Sequence, residues 1–149
     1  MIVGIDPGAK GAIGMLYPNG SVYVEDMPMI GKEVDGYSLS ELFIEFPPEH
    51  VYLEQVSSWQ MGRTSAFNFG QGCGCIKGVL ATMNIPYTMV VPQVWKKYFD
   101  LSRDKDESRL YAARLWPTSA DMFNAMTKAL LTARITSWRH TFGCSVVTS

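Results

Sequence analysis

The chain has 149 residues, 13 basic and 14 acidic side chains, a formal net charge of −1 and 47% hydrophobic residues. That length suits one domain with a real core, and no apolar run reaches the length of a membrane span. No basic segment precedes the first apolar residues, so they read as a strand and not as a signal peptide, and a cytoplasmic location is expected. The three cysteines (Cys73, Cys75, Cys144) and two histidines (His50, His140) lack zinc-ligand spacing. Cys73 and Cys75 lie in "GQGCGCIKG", where small reduced residues let a helix or turn pack closely.

The near-neutral total hides a division. Residues 1–60 hold nine acids and two bases, whereas residues 61–149 hold five acids and eleven bases. A basic second half can contact phosphates while an acidic first half holds metal. The competing reading is ordinary variation in sign among solvated helix faces.

In chain order, "IVGID" is a short apolar run that ends in the turn signal Asp-Pro-Gly. "GAIGMLY" and "SVYVEDM" follow, joined through "PNG", and Asn-Gly between two such runs marks a hairpin. Three strands therefore open the chain as an antiparallel meander. "SLSELFIEF" (38–46) has helical spacing, with Ser38 or Ser40 as N-cap and a stop at Pro47-Pro48. "HVYLEQV" is a fourth strand. Residues 64–83 form a helix crowded with Gly70, Gly72, Gly74 and Gly78, which implies close packing against another backbone. "IPYTMVV" is a fifth strand, "PQVWKKYF" a helix with proline at N1, and "DKDESRLYAARLW" a charged helix that stops before Pro117. "SADMFNAMTKALLTARITSWRH" is a last helix capped near Ser119. The order predicts a single α/β domain with a mixed five-stranded sheet and flanking helices.

Two carboxylates carry the chemistry. Asp6 ends the first strand, and Gly8 and Gly11 leave room for a large ligand; taken alone, Asp-Pro-Gly is also plain turn chemistry. Glu54 ends "VYLE", whose neighbours are apolar, and a lone buried carboxylate is expensive. If these strands are adjacent and parallel, both acids converge at the sheet edge where α/β folds place their sites. Two oxygen ligands plus substrate phosphate suit Mg²⁺ or Mn²⁺. A metal pair roughly 3.5–4 Å apart would clamp an in-line displacement at phosphorus.

"GIDPGAKGAIG", "YLEQVSSWQMGRTSAFNFGQGCGCIKGVL", "IPYTMVVPQVWKKYF" and "DKDESRLYAARLWP", in this order, resemble the RuvC-type Holliday junction resolvases in their phage-encoded branch, over residues 2–117. The resemblance implies an RNase H-like fold and a Mg²⁺- or Mn²⁺-dependent endonuclease. Such an enzyme works as a homodimer on four-way DNA junctions and leaves 5′-phosphates. It makes Asp6 and Glu54 the first two catalytic, metal-binding carboxylates. Trp59, Phe67 and Phe69 then become candidates for an aromatic wedge against unstacked bases. Core packing is the alternative for at least one of Phe67 and Phe69. Lys10, Arg63, Lys77, Lys96 and Lys97 become candidates for phosphate contact, with a plain helix surface as the alternative for Lys96 and Lys97.

The chain departs from the family at its end, so residues 123–149 read as atypical. Family members carry Asp-x-Gly-x-Ala-(Asp or Glu) on a last helix that supplies the remaining metal carboxylates. Aligned on "ALLTA", the acidic position falls on Lys128, and no acid follows Asp121. Three explanations are open: a degenerate resolvase that binds junctions without cutting, recruitment of Asp121 as a ligand, or a frameshift near Phe123. The genetic code favours the last. Read from the third base of Met126, the next codon is forced to aspartate, and the same frame on either side of it permits Arg-x-Asp-x-Gly-x-Ala-Asp. A third functional class, an ATP-binding domain of the actin and sugar-kinase type, shares the opening hairpin pattern. It needs two such domains, and this chain has room for one.

Overall fold

The computed structural model describes residues 1–55, 62–102, 105–117 and 129–134. Strands β1 (Ile2–Asp6), β2 (Ala12–Leu16) and β3 (Val22–Asp26) form the opening meander. A small hairpin follows, β4 (Met29–Ile30) and β5 (Glu33–Val34), and then helix α1 (Gly36–Glu45) and strand β6 (His50–Glu54). Helix α2 (Arg63–Thr82) leads to β7 (Tyr87–Val90), α3 (Pro92–Tyr98) and α4 (Lys105–Leu115). A last described helix, α5, covers 129–134. The main sheet has the order β3-β2-β1-β6-β7, with β1 antiparallel to β2 and parallel to β6, and β6 parallel to β7. This is the mixed five-stranded sheet that the sequence pattern predicts.

Side chains alternate across a strand, so each strand feeds two cores. One face carries Val3, Ile5, Ile13, Met15, Val51 and Leu53, covered by Leu39 and Phe43 of α1 and Ile76 and Leu80 of α2. The other carries Ala12, Leu16, Tyr52 and Val90, covered by Trp95 of α3, Ala112 of α4, Trp116, and Leu130, Leu131 and Ala133 of α5. Helix α5 lies almost on the sheet backbone. A Cβ at Gly4 would stand 1.8 Å from the Ala129 carbonyl oxygen, and one at Gly14 would stand 2.8 Å from the Leu130 nitrogen. Only glycine permits that approach.

Three local expectations change. Helix α1 starts earlier than Ser38 or Ser40 implies: Asp35 is its N-cap, accepting from Tyr37 N at 3.0 Å and Ser38 N at 3.1 Å. A carboxylate that satisfies two orphan N–H groups outcompetes a later hydroxyl. The glycines of α2 are not the tight ones. A Cβ at Gly70, Gly74 or Gly78 would meet nothing within 4 Å, and only Gly72 is close, 3.1 Å from Val34 Cγ2. Gly11 is not an opening for ligand either. Its Cβ would stand 1.9 Å from the Asp6 carbonyl oxygen, and its N–H donates to Gly8 O at 2.7 Å. The tight turn itself demands this glycine.

Cys75 lies 2.9 Å from a Cβ built on Gly36, and its Sγ donates weakly to Val34 O at 3.6 Å. It serves as a small packing residue between α2 and the start of α1. Burial pushes the Cys73 thiol up from its ordinary pKa, against the opposing charge of Lys77. No helix among the described residues is long and apolar enough to cross a membrane.

Candidate metal and nucleic-acid site

The parallel pairing of β1 with β6 runs in register from Ile2–His50 to Ile5–Leu53. Asp6 and Glu54 are the next residues on the two strands. Adjacent strands lie about 4.8 Å apart, so these carboxylates begin from neighbouring backbone positions at the C-terminal edge of the sheet. They also share a face. Asp6 pairs with Ala12 and Glu54 with Val90, and both partners belong to the α3–α4–α5 core.

Their surroundings differ. Asp6 is half-buried, and its Oδ1 accepts from Gly8 N at 3.3 Å, which ties the carboxylate to the turn. Glu54 is 2% exposed. A carboxylate so deep is retained where hydrogen bonds or a cation offset its desolvation. Mg²⁺ is commonly held by one or two carboxylates, with water and substrate phosphate completing its shell. The hard oxygen donors of Asp6 and Glu54 fit that mode of binding. Among the described residues no third His, Cys, Asp or Glu joins them. Asp121 and Lys128 lie outside the described residues.

His50 is remote from this edge. It opens β6, where its Nε2 lies 2.9 Å from Thr88 Oγ1 and its ring packs 4.6 Å from Tyr52. The histidine is thus used in packing.

The basic and aromatic candidates separate into groups. Lys10 is exposed on the β1–β2 turn, next to the Asp6 loop, and Arg63 is exposed at the first residue of α2. Phe67 is 71% exposed, which removes core packing as its explanation. Phe69 is half-buried, belongs to neither core cluster, and lines a cleft beside Pro7 and Ala9. Lys77 is half-buried farther along α2. Lys96 places its Nζ 5.5 Å from the centroid of the Trp95 ring, a cation–π contact that leaves its charge near the surface. Lys97 is exposed in the last turn of α3. Trp59 lies outside the described residues. Sequence reading missed the β4–β5 hairpin, and with it Lys32, which lines the same cleft. The only available signal was Gly31 between two short β-prone pairs, which takes φ +63° at the hairpin tip.

The sequence matches no family model and no curated protein. The fold does match solved structures. The Thermus thermophilus RuvC in complex with Holliday junction substrate superposes with TM-score 0.74 at 18% identity, over 97% of this chain and 96% of that one. A second Thermus thermophilus RuvC structure gives TM-score 0.71 at 18% identity, over 95% and 96% of the two chains. The structural neighbours of this chain are therefore RuvC resolvases, and its mixed sheet with flanking helices is the RuvC, RNase H-like fold.

Proposed function

We propose that this protein is a junction-resolving DNA endonuclease of the RuvC type, dependent on Mg²⁺ or Mn²⁺. The observation that carries this reading is the pair Asp6 and Glu54, at the C-terminal ends of adjacent parallel strands β1 and β6 in a RuvC-like fold. Asp6 and Glu54 would hold the divalent cation at the sheet edge. When bound, the cation supplies Lewis-acid stabilisation for displacement at a phosphodiester. Lys10 neutralises phosphate beside the turn, and Arg63, Lys96 and Lys97 extend the contact along the backbone. The homodimer that the family resemblance implies has a suitable surface on α2, where Gly70, Gly74 and Gly78 recur every fourth residue facing open space. A bacterial cytoplasm, reached through phage infection, is the setting of this proposal.

Gel-shift titration of a four-way junction against a matched duplex tests the DNA reading. The junction should bind more tightly, and affinity should fall steeply with salt. For 6–10 phosphate contacts the loss is about 10³–10⁵-fold between 50 and 200 mM salt. Equal affinity for both DNAs removes the junction claim.

The second reading, a junction binder that does not cut, is favoured by the absence of any acid after Asp121 and by lysine at position 128. If Lys128 takes the place of the family acid, its ammonium opposes Mg²⁺ binding by on the order of several kcal/mol at an effective dielectric near 20. The chain as written should therefore cleave poorly. Restoring Asp-x-Gly-x-Ala-Asp across 123–128, including Lys128→Asp, should recover Mg²⁺-dependent cleavage. Strong cleavage by the unmodified chain rejects the non-cutting reading and makes Asp121 the next residue to mutate. The nucleotide sequence across codons 120–135 tests the frameshift directly.

A further inference from the structure

We propose that Asn19, at the tip of the β2–β3 hairpin, is a modification site at which the folded protein deamidates itself with help from Ser21. Asn19 is the only asparagine followed by glycine; Asn68, Asn84 and Asn124 precede Phe69, Ile85 and Ala125. A glycine next in sequence leaves the following backbone nitrogen with no side chain to shield it.

The turn holds the amide ready for attack. It is closed by Tyr17 N donating to Ser21 O at 2.9 Å and by Gly20 N donating to Tyr17 O at 2.9 Å. Gly20 takes φ +85°, and a Cβ built on it would meet nothing within 4 Å. Residues 18–21 are exposed, so water and hydroxide reach the amide. Asn19 Oδ1 accepts twice from Ser21, from its N at 3.0 Å and its Oγ at 2.7 Å. These bonds fold the side chain forward along the chain, past Gly20. They also fix two donors on the oxygen that gains negative charge when Cγ is attacked, which is how an oxyanion hole works.

Hydroxide takes the Gly20 amide proton, which frees that nitrogen from Tyr17 O. The nitrogen attacks Asn19 Cγ, a Gly20 N–Cγ bond forms, and the charge passes to Oδ1 between the Ser21 donors. Collapse breaks the Cγ–Nδ2 bond, and Nδ2 leaves as ammonia with a proton taken from water. One water then opens the cyclic imide at either carbonyl, leaving aspartate or isoaspartate at position 19. Nothing is oxidised or reduced. The tip follows Leu16, which pairs with Ile2 at the end of β1 opposite Asp6, so the inference stands apart from the DNA reading.

The test holds full-length protein at mildly alkaline pH, beside the same chain unfolded in urea, and follows both by isoelectric focusing and peptide mass mapping. The folded protein should gain one negative charge. The change should be confined to the peptide that holds Asn19, with isoaspartate detected there by enzymatic carboxyl methylation, and Asn19→Gln should remove it. Ser21→Ala keeps the backbone donor and loses the hydroxyl, and should slow the reaction by about two- to tenfold, the rate equivalent of one hydrogen bond. Ser21→Thr keeps the hydroxyl and should retain the wild-type rate. Conversion in urea but not in the folded protein would show that the turn protects Asn19, and overturns the proposal. Equal rates in wild type and Ser21→Ala overturn the part given to Ser21. Equal change at Asn68 or Asn84 overturns the choice of site.

Discussion

The two faces of the central sheet are built from the same strands by different rules. The face toward α1 and α2 is aliphatic, with Val3, Ile5, Ile13, Met15, Val51 and Leu53 at 0% exposure. The face toward α3, α4 and α5 holds the buried polar groups: Glu54, Ser108 and Thr132 are all 4% exposed or less. It also holds Trp95, whose Nε1 is buried with no hydrogen-bond partner among the described residues. Glycines on this second face bring α5 down onto the backbone. The first face stabilises by dispersion and apolar burial. The second accepts desolvation costs, with the Glu54 carboxylate buried at the C-terminal edge of the sheet. One strand thus sends its odd residues into an aliphatic core and its even residues, the carboxylates of the proposed site among them, to the other face.

Leu53 and Glu54 are adjacent on β6 and point to opposite faces, so they give the sharpest test of that division. Glu54→Gln should remove divalent-metal binding, read as loss of the Mn²⁺-induced rise in Tm. It should also reduce cleavage in the restored background at least as much as the ~10²–10³-fold caused by deleting one preorganised electrostatic group. Its metal-free Tm should stay near wild type, because glutamine keeps the shape and one acceptor oxygen. Leu53→Ala should do the reverse, lowering stability by about 2–5 kcal/mol while the folded fraction still binds metal. If both variants merely unfold the protein, the two faces are not separable.

The glycines give the next comparison. Gly4→Ala forces a Cβ to within 1.8 Å of the Ala129 carbonyl oxygen, so α5 must lift. Overpacking of this kind costs about 1–3 kcal/mol, measurable by denaturant titration. Gly74→Ala adds a Cβ into open space on α2 and should stabilise the monomer by about 0.5–1 kcal/mol, through helix propensity and a less flexible unfolded chain. A concentration-dependent loss of stability in Gly74→Ala would instead locate a second copy on that face.

The strands and the mixed character of their sheet were readable from the sequence because β1, β2, β3, β6 and β7 are short apolar runs bounded by Pro, Gly and Asn. Parallel pairing of β1 with β6 stood only as a condition of the two-carboxylate reading, and the structure supplies it. The glycine signal was legible in kind and misplaced in position. Density in α2 drew attention there, while the close approaches occur at single glycines, Gly4 and Gly14, inside strands. Nothing local marks those two, because the atoms that crowd them lie more than a hundred residues away in α5. The cleft was hidden for the same reason. It needs Pro7, Val34 and Gly72 together, from three separate elements, and two-residue strands such as β4 and β5 carry almost no periodic signal.

The smallest expected effect concerns a half-buried, titratable support of the aliphatic face. Asp35 caps α1, which delivers Leu39 and Phe43 to that core. The Ser38 hydroxyl, donating to Asp35 Oδ2 at 2.5 Å, holds the carboxyl below its ordinary pKa, with help from the backbone N–H groups of Ser38 and Tyr37. A carboxyl whose folded pKa lies below its unfolded value, about 3.9, contributes stability that is present above that value. The contribution fades as pH falls through the folded pKa. Asp35→Asn keeps a capping oxygen and removes the titration. Its melting temperature should therefore stay near wild type at neutral pH, and it should lose less than wild type between pH 5 and pH 3. Asp35→Ala should be destabilised at neutral pH and converge on wild type in acid. Metal should shift none of these differences, because Asp35 serves the stabilising face alone. An Asp35→Asn profile that parallels wild type through this range would show that the acid-labile support of α1 lies elsewhere.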